Sequence, residues 1–243
     1  DYPTVSVEGG VRGRCVKLTT RSTGPFGVMS NMRIAAGNLF IGEFDTKPAL
    51  TNTMAATRFG LPFDKKPLRL TGYYKYAPGE TYQDKAGKPV EGKTDHGDIY
   101  AVLYRNHDDN GEAFVLNGND VKTNPYIVAL AEIGEINATS EWTPFDLQFK
   151  YTGVVDPDLL RANGYSIAIV CTSSYEGATF QGQWAAHSMW MSSNSSARTD
   201  ATAPHGRPTL TINKKKDNNE EDNIITGTPC RIGTLSSCRR NTR

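Results

Sequence analysis

Apolar residues recur along much of this chain with a period of two rather than 3.6, the spacing of half-buried strands. Ile99, Ala101 and Leu103 alternate with Asp98, Tyr100 and Tyr104, so a strand over 98–105 turns the first set to one face and the second to the other. Phe145, Leu147 and Phe149 alternate in the same way. So do Tyr165, Ile167 and Ile169, but there Ala168 and Val170 make the run apolar on both faces, as a central strand between two layers requires. Strand-like runs rich in β-branched and aromatic residues cover Arg14–Thr20, Leu39–Phe44, Leu68–Tyr76, Asp98–Arg105, Glu112–Leu116, Tyr126–Ile133, Trp142–Tyr151 and Tyr165–Thr172. Gly, Pro, Asn and Asp separate them, and Asn110-Gly111 is a hairpin-turn signal. Leu159–Asn163 makes at most a helical turn. Many short antiparallel strands without a long amphipathic helix predict an all-β protein, a β-sandwich or jelly roll.

Composition refines this picture. The 243 residues suffice for one large domain, or a domain and an extra segment. With 22% charged and 37% hydrophobic residues, the bulk is neither disordered by charge nor collagen-like. No apolar run approaches the roughly 18 residues of a membrane span. A net charge of +1 gives no reason to expect a nucleic-acid partner. Neither CxxC nor HExxH occurs, so no zinc site and no cofactor are expected. Cys15 and Cys171 read as buried free thiols, since a disulfide needs their strands to be neighbours.

The averages hide two unlike parts. Every Phe and Tyr lies at or before Phe180, and no Val follows Val170. The last 61 residues, Gln183–Arg243, carry nine Lys+Arg against five Asp+Glu; the first 182 carry 18 against 21. A β-rich domain draws on Val, Tyr and Phe, so a boundary is expected near Gly182, with residues 1–182 forming the domain and 183–243 a disordered tail. Cys230, Cys238 and the run Lys214–Lys216 belong to that tail and receive no structural meaning.

Seven segments in order carry a family resemblance: LTTRSTGPFG (Leu18–Gly27), IAAGNLFIGEFD (Ile34–Asp45), TRFGLPF (Thr57–Phe63), LTGYYKYAPGE (Leu70–Glu80), DIYAVLY (Asp98–Tyr104), EWTPFDLQF (Glu141–Phe149) and YSIAIVCTSSYEGATFQG (Tyr165–Gly182). Together they resemble the putative carbohydrate metabolism domain (PCMD) family of Bacteroidetes surface proteins, over about residues 4–182. The resemblance implies a β-jelly roll similar to carbohydrate-binding and glycosidase-like sandwiches. It also implies a polysaccharide or oligosaccharide partner, and a place on the outer face of the outer membrane or in the periplasm. Family members are similar to lipid-anchored secreted proteins with an immunoglobulin-like domain ahead of the jelly roll. Against that pattern this chain lacks the upstream domain and the earliest strands, which is how a fragment reads.

After GATFQG, relatives continue with a last strand like AVGSTLYVDEFEL, whereas this chain has QWAAHSMWMSSNSS. Trp and Met have one codon each, so the neighbouring frame is largely forced. Read one base earlier, Gln183-Trp184 gives Val with Gln as CAG, Trp184-Ala185 forces Gly, Met189-Trp190 forces Val and Trp190-Met191 forces Asp. Ordinary codon choices then restore the whole missing strand. Downstream, Asn219-Glu220 as AAT-GAA supplies a stop in the restored frame and a start in the third frame. From that start, Glu220–Leu235 reads as a basic stretch followed by an apolar one, as a secretory signal does. The expectation is a frame shift just past Gly182, a jelly roll incomplete at both ends, and a chain of marginal stability because unpaired edges are costly.

Sugars present apolar C–H faces and many hydroxyls, so their sites pair a ring platform with a few polar groups. Tyr74 and Tyr76 share one strand face while Tyr73 and Lys75 share the other, so one set is core. Tyr82, Tyr100, Tyr104 and Trp142 are further ring candidates. Arg21 offers a planar fork for hydroxyls or carboxylates, with a loop-anchoring ion pair as its structural role. Asn38 and Asn117 fit hydroxyl recognition through both amide groups, or turn formation. The carbohydrate-binding set expected is therefore Arg21, Asn38, Tyr74, Tyr76, Asp98, Tyr100, Tyr104 and Asn117. A glycosidase needs two carboxyls about 5–9.5 Å apart; Glu43, Asp45, Asp98, Glu132 and Glu141 are the candidates, with no local catalytic signature. Asp108–Glu112 reads as a turn rather than a calcium loop, and His96 and His107 as loop residues without a catalytic pattern. Three functions are open: a glycan-binding surface module, a glycoside hydrolase, or a structural and adhesive module.

Overall fold

The structure, a computed structural model, describes residues 2–48, 52–183 and 188–192. The expectations for the tail beyond Ser192 lie outside the described residues. The protein is all-β, with three short helices among the described residues. Two antiparallel sheets pack face to face. The first runs in the order Thr4–Glu8, Arg14–Thr19, Ser188–Ser192, Arg69–Ala77, Thr139–Gln148. The second runs Lys150–Tyr151, Ile127–Glu132, Asp98–Arg105, Tyr165–Thr172, Asn38–Phe40, with Leu61–Pro62 against the start of Tyr165–Thr172. Apart from the paired strands Thr4–Glu8 with Arg14–Thr19 and Asp98–Arg105 with Ile127–Glu132, the chain crosses from one sheet to the other between successive long strands, the crossing pattern of a jelly-roll sandwich.

The period-two pattern explains the packing. Leu18, Leu70, Tyr74, Tyr76 and Phe145 of the first sheet meet Ile99, Ala101, Leu103, Ile167, Ile169 and Cys171 of the second in the main core. On its other face the second sheet carries Tyr100, Val102, Tyr104, Ala168 and Val170, and these form a second core with Phe40, Phe59, Leu116 and Val121. Both faces of the Asp98–Arg105 and Tyr165–Thr172 strands are thus covered, and nearly every residue in them is buried. Each fully buried large apolar side chain contributes about 1.5–3 kcal/mol. Cys15 and Cys171 are buried free thiols in different sheets.

Three local readings change. Glu112–Leu116 is not a strand; it makes isolated bridges from Ala113 to His107 and from Leu116 to Phe59, and it roofs the second core. The helical turn falls at Pro157–Arg161, where the Asp156 carboxylate caps the amides of Asp158 and Leu159. The place that the sequence reading leaves empty is filled. Ser188–Ser192 lies between Arg14–Thr19 and Arg69–Ala77 and pairs with both, so the described fold continues past Gly182. A ladder is made by backbone groups, which SMWMS supplies without proline, and Met191 rests half-buried on the main core. Among the described residues no helix is long and apolar enough to cross a membrane.

Candidate functional site

The outer face of the second sheet is roofed at one end and built of polar groups at the other. Cross-strand pairing aligns Glu132 with Tyr100 and Val170 in one row, and Asp98 with Thr172 and Asn38 in the next. Lys122 descends onto these rows from the loop that follows Asn117. Its ammonium donates to Asp98 Oδ2 at 2.6 Å and to Glu132 Oε1, which share this one cation. It also lies 4.3 Å from the ring centre of Tyr100 and 5.1 Å from that of Tyr175, within range of attraction to both rings. Charge-assisted bonds of this kind are stronger than neutral ones. They hold the loop onto the sheet.

Asp98 is 3% exposed, and its Oδ1 is buried without a hydrogen-bond partner among the described residues. Burial pushes its carboxyl above the ordinary range, against the pull of Lys122. Burial likewise raises the Tyr100 phenol, helped by the Asp98 charge. The ammonium of Lys122 is held above its ordinary value by its two carboxylates, in spite of its own desolvation.

Beside this cluster stands an exposed ring. Tyr175 is 51% exposed and lies 4.9 Å, at 34°, from the imidazole of His96. His96 Nδ1 is 2.7 Å from the Gly97 carbonyl, which only accepts, so Nδ1 carries the hydrogen. A buried carboxylate, Asp95, sets both rings. It accepts from the His96 amide at 2.9 Å, from the Tyr175 amide at 3.1 Å and from Ser174 Oγ. Gln183 Oε1 accepts from the Asp95 amide, and Tyr76 donates to the Asp95 carbonyl. Gly182 sits against Asp95 with φ of +142°, so a side chain there would strain the backbone and strike the carboxylate. Lys93 pairs with Glu176 at 2.6 Å and covers the Tyr82 ring, tying the two loops together once more.

The expected residues divide by where the strands put them. Asp98, Tyr100 and Asn38 come together on this face. Tyr104 is on the same face but fully buried, its hydroxyl donating to the Phe59 carbonyl at 2.7 Å. Tyr74 and Tyr76 point between the sheets and are core. Asn38 donates its amide hydrogen to Ala36, and Asn117 closes a turn by accepting from the Asn119 amide. Arg21 belongs to a two-residue ladder with Ile34–Ala35, outside the face just described. Trp142 lies on the outer face of the first sheet, its indole donating to Gly9 and Lys75 over its ring. Asp108 accepts from the amides of Asn110 and Glu112, the turn that Asn110-Gly111 signals. Of the five carboxylate candidates, Asp98 and Glu132 are the two that share a partner among the described residues. Sequence reasoning misses Tyr175, Lys122 and Asp95. Tyr175 was available within TSSYEGATFQG, as the last tyrosine after a buried strand.

The family model described as "Putative carbohydrate metabolism domain" (PCMD) matches residues 1–191, and the chain belongs to that family. It is similar to a solved structure described as a putative glycoside hydrolase from Bacteroides thetaiotaomicron, with 43% identity and a TM-score of 0.75, covering 79% of this chain and 55% of that one. A second, described as a putative glycoside hydrolase from Bacteroides vulgatus, shares 36% identity at a TM-score of 0.72, covering 78% of this chain and 75% of that one. The chain therefore spans about half the length of the first of these proteins. No curated protein matches it.

Proposed function

We propose that this domain binds a glycan on the outer face of its second sheet, at Tyr175 and the Lys122 cluster. The observation that carries the reading is the exposed Tyr175 ring, set by its backbone bonds beside His96 and Lys122. A half-exposed aromatic fixed by backbone bonds offers an apolar surface to the C–H face of a sugar at little entropic cost. The carboxylate and ammonium at its edge suit hydroxyl groups, which donate and accept. The family's carbohydrate role supports the same reading. In the full-length protein, the module would act outside the cell on a lipid-anchored chain, as the family resemblance implies.

Titration of the folded domain against a panel of soluble polysaccharides tests this. The Tyr175→Ala substitution is expected to weaken binding several-fold to about tenfold, the effect of the roughly 0.5–1.5 kcal/mol a stacked ring contributes, with the unfolding midpoint unchanged. Equal affinity of wild type and Y175A for a bound glycan would remove Tyr175 from the site.

Hydrolysis is the second reading. One ammonium bonded to both Asp98 and Glu132 sets two carboxylates side by side, as a glycosidase's pair must be, and two similar structures are described as putative glycoside hydrolases. Against it, Lys122 occupies the space where the scissile bond would lie. Release of a chromogenic aglycone by wild type and its loss in Glu132→Gln would favour this reading over binding alone.

A further inference from the structure

Building on the binding site proposed above, we infer that the glycan it takes is uncharged, and that polyuronates and sulfated glycans are excluded. Two independent features support this. The first is the charge balance. Lys122 is the cation of the cluster and is already bonded to two carboxylates, Asp98 and Glu132. Asp98, Glu132 and Lys122 together carry one net negative charge, and the neighbouring Lys93–Glu176 pair is balanced. A sugar carboxylate or sulfate arriving at Tyr175 would meet like charge at short range, where the surrounding protein screens it less than water does.

The second feature is the unsatisfied acceptor. Asp98 is 3% exposed, and its Oδ1 lacks a donor among the described residues. A buried acceptor without a donor costs free energy, and an anion brought up beside this carboxylate would add to that cost rather than relieve it. Hydroxyl groups donate; ionised carboxylates and sulfates only accept. Glu132 poses the same requirement at the half-exposed rim. Lys122 does not offset it, since its single positive charge is already shared by two carboxylates, and an anion taking its third hydrogen would still face both of them. Specificity here comes from what the cluster repels as much as from what it attracts.

The test compares retardation of the 243-residue chain in native affinity gels containing a neutral galactomannan, a neutral mixed-linkage β-glucan, or polygalacturonate, at low and high salt. The expected result is retardation by at least one neutral polymer that is insensitive to salt, with polygalacturonate at least about tenfold weaker. The E132Q variant keeps the shape and removes one negative charge. It is expected to narrow the gap between neutral polymer and polygalacturonate several-fold, while Y175A weakens binding of both. Tighter binding of polygalacturonate, lost at high salt, overturns the charge inference and leaves the binding site standing. A gap unchanged in E132Q also overturns it, by removing Glu132 from the selection. Absence of retardation by every polymer overturns the binding reading itself, and this inference with it.

Discussion

Asp95 positions the half-buried His96 ring and the exposed Tyr175 ring through their backbones, so its chemistry reaches the site without touching a ligand. Its carboxylate accepts from the amides of His96 and Tyr175 and from the Ser174 hydroxyl. Burial nevertheless pushes its pKa above the ordinary carboxylate value. The folded state then holds this proton more tightly than the unfolded state. That contribution to stability is fully present below the ordinary carboxylate pKa and is lost as the pH rises through the raised folded value. Asp95→Asn removes the titration while keeping the shape. The unfolding free energy of D95N relative to wild type, from urea melts across the acid range, is expected to rise with pH through that window. A difference that stays constant with pH would contradict the assignment. Residue identity alone shows little of this: Asp95 lies in the polar, glycine-rich stretch QDKAGKPVEGKTDHG, where nothing distinguishes a buried carboxylate from an exposed one.

At the scale of elements, alternation was a dependable guide wherever a strand lies against a core. Asp98–Arg105, Tyr165–Thr172 and Arg69–Ala77 fall within a residue or two of the runs that predict them. Glu112–Leu116 shows the same pattern, but no neighbouring strand is available to complete a ladder, so it became a roof. Ser188–Ser192 is the reverse case, with poor strand composition in a place that the two flanking strands prepare for it. The forced codons of Trp184, Met189, Trp190 and Met191 still give a better strand in the neighbouring frame. Substituting the sequence after Gly182 by AVGSTLYVDEFEL is therefore expected to raise the thermal midpoint by several degrees, the shift that about 1–2 kcal/mol produces in a domain of this size. Scanning calorimetry of the two chains measures this, and equal midpoints would show that the existing strand already fills the place as well. Sequencing the native locus settles the frame independently.

In the whole molecule, one sheet has a core on each face. Leu103 lies in the core between the sheets and Leu116 in the one beneath the roofing loop, and both are fully buried. Because the shared Asp98–Arg105 strand contributes to both cores, Leu103→Ala and Leu116→Ala are each expected to cost about 2–5 kcal/mol and to move one common unfolding transition. Separate transitions for the roof and the sandwich, seen by tryptophan fluorescence and circular dichroism, would show that the second core folds on its own. The sequence by itself determined the all-β class, the two-faced central strands, and the partition that put Asp98, Tyr100 and Tyr104 on one face. These follow from side-chain alternation, a property of each strand taken alone. Tertiary structure decided which face is covered and by what. It buried Tyr74 and Tyr76, laid Lys122 between Asp98 and Glu132 from a loop ten or more residues away in the chain, and turned Tyr175 outward beside His96. Those choices depend on contacts between segments far apart in sequence, and no local periodicity encodes them.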